Sequence, residues 1–264
     1  MVIMSLADRV RDRVSAVGQG FDGVTDLLTM QWRDVLFAHW RVDPEVVEKQ
    51  LPSEVTVATH NGDAFLGIVP FEMADIRPRG SPIGRSFPEL NLRTYVRQPG
   101  SQTRGVYFFN LDADDTIGVE IARRGFKLPY YHAKMELTRN AASEGKNKTI
   151  HITSKRTRDT VAPARFEATY GPVDGANYVQ PTTGSLTAFL TENYQFYTDG
   201  RTLYRGTIRH SPWKIAEGHI TIKENTLFTA NGFEPPSDGP IVHYASDIDV
   251  TAGWIQSIGN SSEE

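Results

Sequence analysis

Read with a period of two, the stretch Phe87-Pro-Glu-Leu-Asn-Leu-Arg-Thr-Tyr-Val96 sends Glu89, Asn91, Arg93 and Tyr95 to one face of a strand. Leu90, Leu92, Thr94 and Val96 go to the other face, which reads as packing surface. An acid, an amide, a guanidinium and a phenol in line either meet solvent or line a polar pocket inside a closed sheet. In a pocket, Arg93 offers a planar fork for a carboxylate, and Glu89 becomes a general base once burial raises its pKa. Asn91 and Tyr95 then orient the bound group. The plain alternative is that Glu89 and Arg93 merely hold each other in place.

A second run, Leu128-Pro-Tyr-Tyr-His-Ala, puts Tyr130, His132 and Lys134 on one strand face and Tyr131, Ala133 and Met135 on the other. His132 is the histidine to weigh first, because a neutral imidazole serves as acid or base near pH 7. A surface or structurally hydrogen-bonded histidine is its plain reading. Arg123 and Arg124, near the end of an expected helix, either complement its dipole or reach an anionic ligand. Other chemistry lacks support. There is no cysteine, so thiol catalysis, disulfides and cysteine zinc sites drop out. The seven histidines show no His-x-His or His-Glu-x-x-His spacing, and no Gly-x-Ser-x-Gly elbow, dinucleotide fingerprint or P-loop occurs. No metal and no cofactor is expected.

The elements that must position these residues belong to a chain whose net charge of -4 offers no basic field to nucleic acid. No apolar run approaches the ~18 residues of a membrane span. The first residues alternate charge with apolar groups rather than building a secretory leader, and with the missing cysteines this points to the cytoplasm. The 264 residues suit one large β-rich domain over positions 30–256, after an N-terminal helical or flexible segment at 1–29 and before a solvated tail at 257–264.

Strand patterning recurs at 30–42, 55–59, 64–74, 87–96, 106–111, 131–139, 149–158, 164–171, 202–210, 219–222 and 248–255. Asp43-Pro44 predicts a helix start, Asn61-Gly62 a tight hairpin, 112–126 a helix capped by Gly125, and 182–194 a short helix resuming at 195–198. Without a regular βαβ rhythm, this is an α+β fold on largely antiparallel sheet, best closed into a barrel or deep cone.

Several blocks in order carry a family resemblance: Met30-Gln-Trp-Arg-Asp-Val-Leu-Phe-Ala-His-Trp40, Val69-Pro-Phe71, the Phe87–Val96 strand and Gly105-Val-Tyr-Phe-Phe109. Leu128-Pro-Tyr-Tyr-His-Ala133, Tyr204-Arg-Gly-Thr-Ile-Arg-His-Ser-Pro-Trp213 and Glu224-Asn-Thr-Leu227 continue it. Together they resemble the uncharacterised YqjF-like family of the acetoacetate decarboxylase-like superfamily. The resemblance implies a partly open antiparallel β-barrel or cone with a central cavity and a few packed helices. In that superfamily a Gly-Phe-Pro-Lys-Lys motif supplies an imine-forming lysine. Here Gly125-Phe126-Lys127-Leu128-Pro129-Tyr130-Tyr131 restores the lysine pair in neither register, and tyrosines follow the proline. The expectation is a cavity protein for a small organic acid or ketone-like ligand, either a lyase or hydrolase without Schiff-base chemistry or a non-catalytic binder. A structural, oligomer-forming module is the third reading, and a homodimer fits the aromatic surface.

Overall fold

The computed structural model describes residues 26–115, 125–140, 148–157, 161–199 and 202–258. The expected N-terminal helix, Arg123, positions 259–264 of the expected tail and most of the 112–126 helix and the 141–148 loop lie outside them, while Ser257 and Ile258 are not solvated tail but pair with β-strand residues Tyr204 and Leu203. Within them the strands are β1 (Leu28–Val42), β2 (Thr56–Val57), β3 (Ala64–Pro78), β4 (Arg85–Arg97), β5 (Arg104–Ala113), β6 (Tyr130–Asn140) and β7 (Thr149–Arg156). They continue as β8 (Arg165–Pro172), β9 (Gln195–Thr198), β10 (Leu203–Arg209), β11 (Ala216–Asn225), β12 (Ile241–Ala252) and β13 (Gln256–Ile258). Three short helices accompany them: α1 (Pro44–Glu48), α2 (Leu186–Thr191) and α3 (Leu227–Ala230).

The sheet closes on itself. Strands β5-β6-β7-β8-β11-β12-β1-β3-β4 run in order, and β4 pairs back onto β5, making a nine-stranded barrel. A second circuit leaves the first through β5-β9-β10 and rejoins it at β12. Pairing is antiparallel except where β5 meets β6 and β9. Strands β12, β1, β3, β4 and β5 therefore stand between two interiors. This explains the unbroken buried runs of β1, β3 and β4, which lack the in–out alternation of a one-sided sheet. Leu90 and Leu92 pack into the first interior with Leu36, Leu66, Ile152 and Phe166. The opposite face of the same strands meets Phe37, Val69, Phe71 and Trp213.

Local signals hold where turn chemistry decides. Asp43 caps α1, its carboxylate accepting from the Glu45 amide at 2.8 Å, with Pro44 in the first turn. Asn61 and Gly62 both take positive φ, as the Asn-Gly turn requires, and close the His60–Asp63 bridge. The hairpin expected around that turn does not extend, since β2 pairs with β4 and not with β3. Two expectations are corrected. Asp112 and Ala113 belong to β5 rather than to a helix, because they pair with Leu90 and Glu89. Residues 195–198 form strand β9 between β5 and β10 instead of resuming a helix. No helix among the described residues is long and apolar enough to cross a membrane.

Candidate functional site

The row on β4 lies in the second interior. Glu89, Asn91, Arg93 and Tyr95 are 2%, 3%, 9% and 0% exposed, which removes the solvated-face reading of that strand. Register places Glu89 across from Phe71, Asn91 from Val69 and Arg93 from Gly67 on β3. Gly67 in turn pairs with His39 on β1. A methyl carbon at Gly67 would stand 2.7 Å from His39 Cδ2 and Nε2 and 3.5 Å from Arg93 Cγ. The missing side chain is what lets the imidazole lie across β3 toward Arg93.

Arg93 makes no ion pair with a carboxylate among the described residues, and its buried Nε has no hydrogen-bond partner. Its guanidinium carbon sits 5.3 Å from the Phe37 ring centre and 5.9 Å from that of Tyr95. The cation is held by aromatic faces and by the Tyr95 hydroxyl, with Nε left for something else. His39 Nε2 lies 2.6 Å from the Tyr95 hydroxyl, and that hydroxyl donates to the Leu190 carbonyl of α2 at 2.5 Å. Burial, with Arg93 and His243 nearby, holds the His39 pKa well below 6.5, so the ring is neutral.

At the other end of the row, Tyr130 donates its hydroxyl to Glu89 Oε2 at 2.7 Å. Burial pushes the Glu89 carboxyl up to about 7, against the opposing pull of Tyr130, Asn91 and Arg93. Such a group carries a proton part of the time at neutral pH and can give or take one.

The residues singled out from the sequence divide. Glu89, Asn91, Arg93, Tyr95 and Tyr130 share the second interior. The register sets His132 level with Glu89, two strands away across Ala113, roughly 10 Å at the usual strand spacing. It is half-buried, and its ring makes no hydrogen bond among the described residues. Tyr131 turns to the first interior, where the Arg156 guanidinium stacks 4.5 Å from its ring centre. There Arg156 Nε donates to Asp112 at 2.8 Å, both groups buried. Lys127 and Lys134 are exposed. His39, Gly67 and Phe37 were not singled out from the sequence. The one available signal was that Phe37 and His39 alternate in register with each other, which says nothing about Arg93.

Two surface pockets, of about 330 and 270 Å³, lie away from this row, beside Arg41–Val46 with Gly232–Asp238 and around Arg104 with Glu192 and Tyr194. Among the described residues no cluster of three or more His, Asp or Glu is placed to hold a metal ion.

The model of the DUF2071 family, described as an uncharacterized conserved protein, matches residues 29–249. The chain is 39% identical over 233 residues to the uncharacterized protein YqjF of Bacillus subtilis (strain 168), covering 87% of this chain and 91% of that one. In fold it is similar to the enduracididine biosynthesis enzyme MppR complexed with pyruvate, at a TM-score of 0.62 and 12% identity over 93% of this chain and 95% of that one. An acetoacetate decarboxylase of Legionella pneumophila aligns at 0.58 and 14% identity, covering 97% and 98%. At such identities the likeness is one of fold, an acetoacetate decarboxylase-like barrel.

Proposed function

The chain belongs to the DUF2071 family of uncharacterized conserved proteins, and from that premise we propose that its second interior binds a small organic carboxylate. One observation carries the reading: Arg93 is buried, lies against the rings of Phe37 and Tyr95, and has no carboxylate partner among the described residues. A buried cation without a counter-ion is costly, and a bound anion would offset that cost. Asn91 and Tyr95 flank it, and Tyr130 braces Glu89. One protein of similar fold is complexed with pyruvate, an anion of this size.

The reading has an enzymatic extension on the same face. Glu89, pushed to about 7, is suited to move a proton on a ligand anchored at Arg93, which fits lyase or hydrolase chemistry. Imine chemistry has no support in the residues on β6. Tyr130 and Tyr131 stand where the superfamily motif has lysines, and the lysines on either side are exposed.

The test is the melting temperature with and without millimolar acetate, propanoate and pyruvate. Wild-type protein is expected to gain stability with at least one of them, because a ligand bound only by the folded state raises it. Arg93→Met should lose that gain. An equal response in the variant would remove Arg93 from the site. Borohydride with pyruvate should leave no adduct on Lys127 or Lys134, and an adduct there would restore the imine reading.

A further inference from the structure

The hydrogen-bond inventory around Arg93 specifies more than an anion, and the selectivity it implies rests on the carboxylate reading of the same interior. The Tyr95 hydroxyl has one proton, and it goes to the Leu190 carbonyl. The 2.6 Å contact from His39 must therefore be an Nε2–H donated to the Tyr95 oxygen. A neutral ring with its proton on Nε2 leaves Nδ1 as a bare lone pair. That nitrogen is buried and has no partner among the described residues. The ring edge against Gly67 is Cδ2–Nε2, so Nδ1 lies on the far side, away from β3.

Asn91 presents the same demand. Its amide group hydrogen-bonds Glu89 and stabilises the charged carboxylate, which identifies the donor end and leaves Oδ1 as an acceptor. Asn91 Oδ1 is also buried, with no partner among the described residues. Around Arg93 the groups without a partner among the described residues thus include one donor, Arg93 Nε, and two acceptors, His39 Nδ1 and Asn91 Oδ1. The other unpaired donor on this side, Trp32 Nε1, sits apart from them, in the stack of Trp32 with Phe71, Trp213 and His210. His243, half-buried, meets the Thr187 hydroxyl through Nε2 at 3.1 Å, and its Nδ1, a donor or an acceptor according to the tautomer, is also unpaired near His39 among the described residues.

A plain carboxylate satisfies Arg93 and leaves both acceptors empty. A 2-oxo acid brings a further acceptor to a place that already has a surplus. Only a ligand with a proton donor beside its carboxylate meets the inventory. A hydroxyl fits better than an ammonium group, which would bring a second cation beside Arg93. We infer that this interior selects small 2-hydroxy carboxylates over 2-oxo acids of the same skeleton, with His39 Nδ1 accepting the hydroxyl proton. His39 is then the specificity-determining residue, its tautomer fixed by Tyr95 and α2.

Titration with lactate, pyruvate, propanoate and alanine, followed by calorimetry on the full chain, tests this. Lactate is expected to bind about tenfold tighter than pyruvate or propanoate, the worth of one well-made buried hydrogen bond. His39→Gln keeps an amide donor for Tyr95 and removes the Nδ1 acceptor. It should bring lactate down to the propanoate level measured in the same variant, whose urea-unfolding transition certifies that it is folded. Pyruvate or alanine binding as tightly as lactate overturns the inference in the wild-type protein alone, with no variant needed. Lactate selectivity surviving in His39→Gln overturns the assignment of His39 Nδ1 as the acceptor. Failure of all four ligands to bind defeats the carboxylate site itself, a result distinct from loss of selectivity.

Discussion

Glu89 and Arg93, four residues apart on β4, share one buried face and do not pair. Strand geometry accounts for it: at ~3.3 Å per residue their Cα atoms lie ~13 Å apart, with Asn91 between. Each has found a different neighbour. Glu89 takes the Tyr130 hydroxyl, while Arg93 takes the faces of Phe37 and Tyr95. The sequence alone left open that the two charges held each other. With that pairing gone, removing Arg93 strands no carboxylate among the described residues. Arg93→Met is expected to change stability by less than ~1 kcal/mol, or to raise it, because an unpaired buried cation is replaced by an apolar chain of similar length. Urea unfolding measures this, and a loss of ~3 kcal/mol or more would mean that Arg93 has a structural partner.

The same separation makes Glu89 a source of pH dependence. Its carboxyl moves from an ordinary 4.5 in the unfolded chain to about 7 in the folded one. Between those values the folded protein holds the proton more tightly. The stabilisation is full below pH 4.5 and is lost as pH rises through 7, amounting to about 3 kcal/mol. Glu89→Gln keeps an acceptor for Tyr130 and cannot ionise. Its stability should match wild type near pH 4.5 and exceed it by up to about 3 kcal/mol at pH 8.5. Asp112, raised to about 6, also titrates in this range, but equally in both proteins, so the difference curve isolates Glu89. A flat difference from pH 4.5 to 8.5 would show that Glu89 is ionised throughout.

How far the sequence could be read depended on whether the signal was local. The β4 row was legible because four polar residues of different chemistry at alternate positions are hard to explain on a solvated face. The cap at Asp43 and the Asn61-Gly62 turn were legible because backbone chemistry decides them within a few residues. His39 was not, lying between Ala38 and Trp40 in a strand buried on both faces, where burial cannot tell one side from the other. Its meaning comes from Gly67 and Arg93, two strands of register away. The split of Tyr130 from Tyr131 was visible as alternation. Their partners, Glu89 and Arg156, were set only by closure of the sheet.

The first interior has a charge pair of its own, Arg156 with Asp112, closed by Asn110 and Asn231. Burial raises the Asp112 carboxyl to about 6 even with Arg156 against it. Arg156→Leu leaves that carboxylate buried and uncompensated, and should cost about 3–5 kcal/mol at neutral pH. The cost should shrink toward pH 5, where the carboxyl is protonated in the variant. Replacing both residues by leucine should restore most of the loss. A double variant no better than the single one would mean that Arg156 stabilises by packing on Tyr131 rather than by charge.

Gly67 gives the sharpest structural test, because its role is a volume and nothing else. Its φ is not positive, so alanine meets no backbone penalty there. The added methyl would approach His39 Cδ2 and Nε2 to 2.7 Å, inside any real contact distance, and the same ring edge is pinned to Tyr95. The imidazole must turn away, which breaks its bond to Tyr95 and crowds Phe37, stacked 6.4 Å from it. Overpacking of this kind costs about 1–3 kcal/mol. Shortening the neighbour should recover the loss, so Gly67→Ala is expected to be destabilising alone and close to neutral in a His39→Ala background. That coupling, read by a double-mutant cycle in urea, is the quantity to measure. Additive effects would show that His39 does not lie over Gly67 and that the imidazole is not held beside Arg93 by the register of β1, β3 and β4.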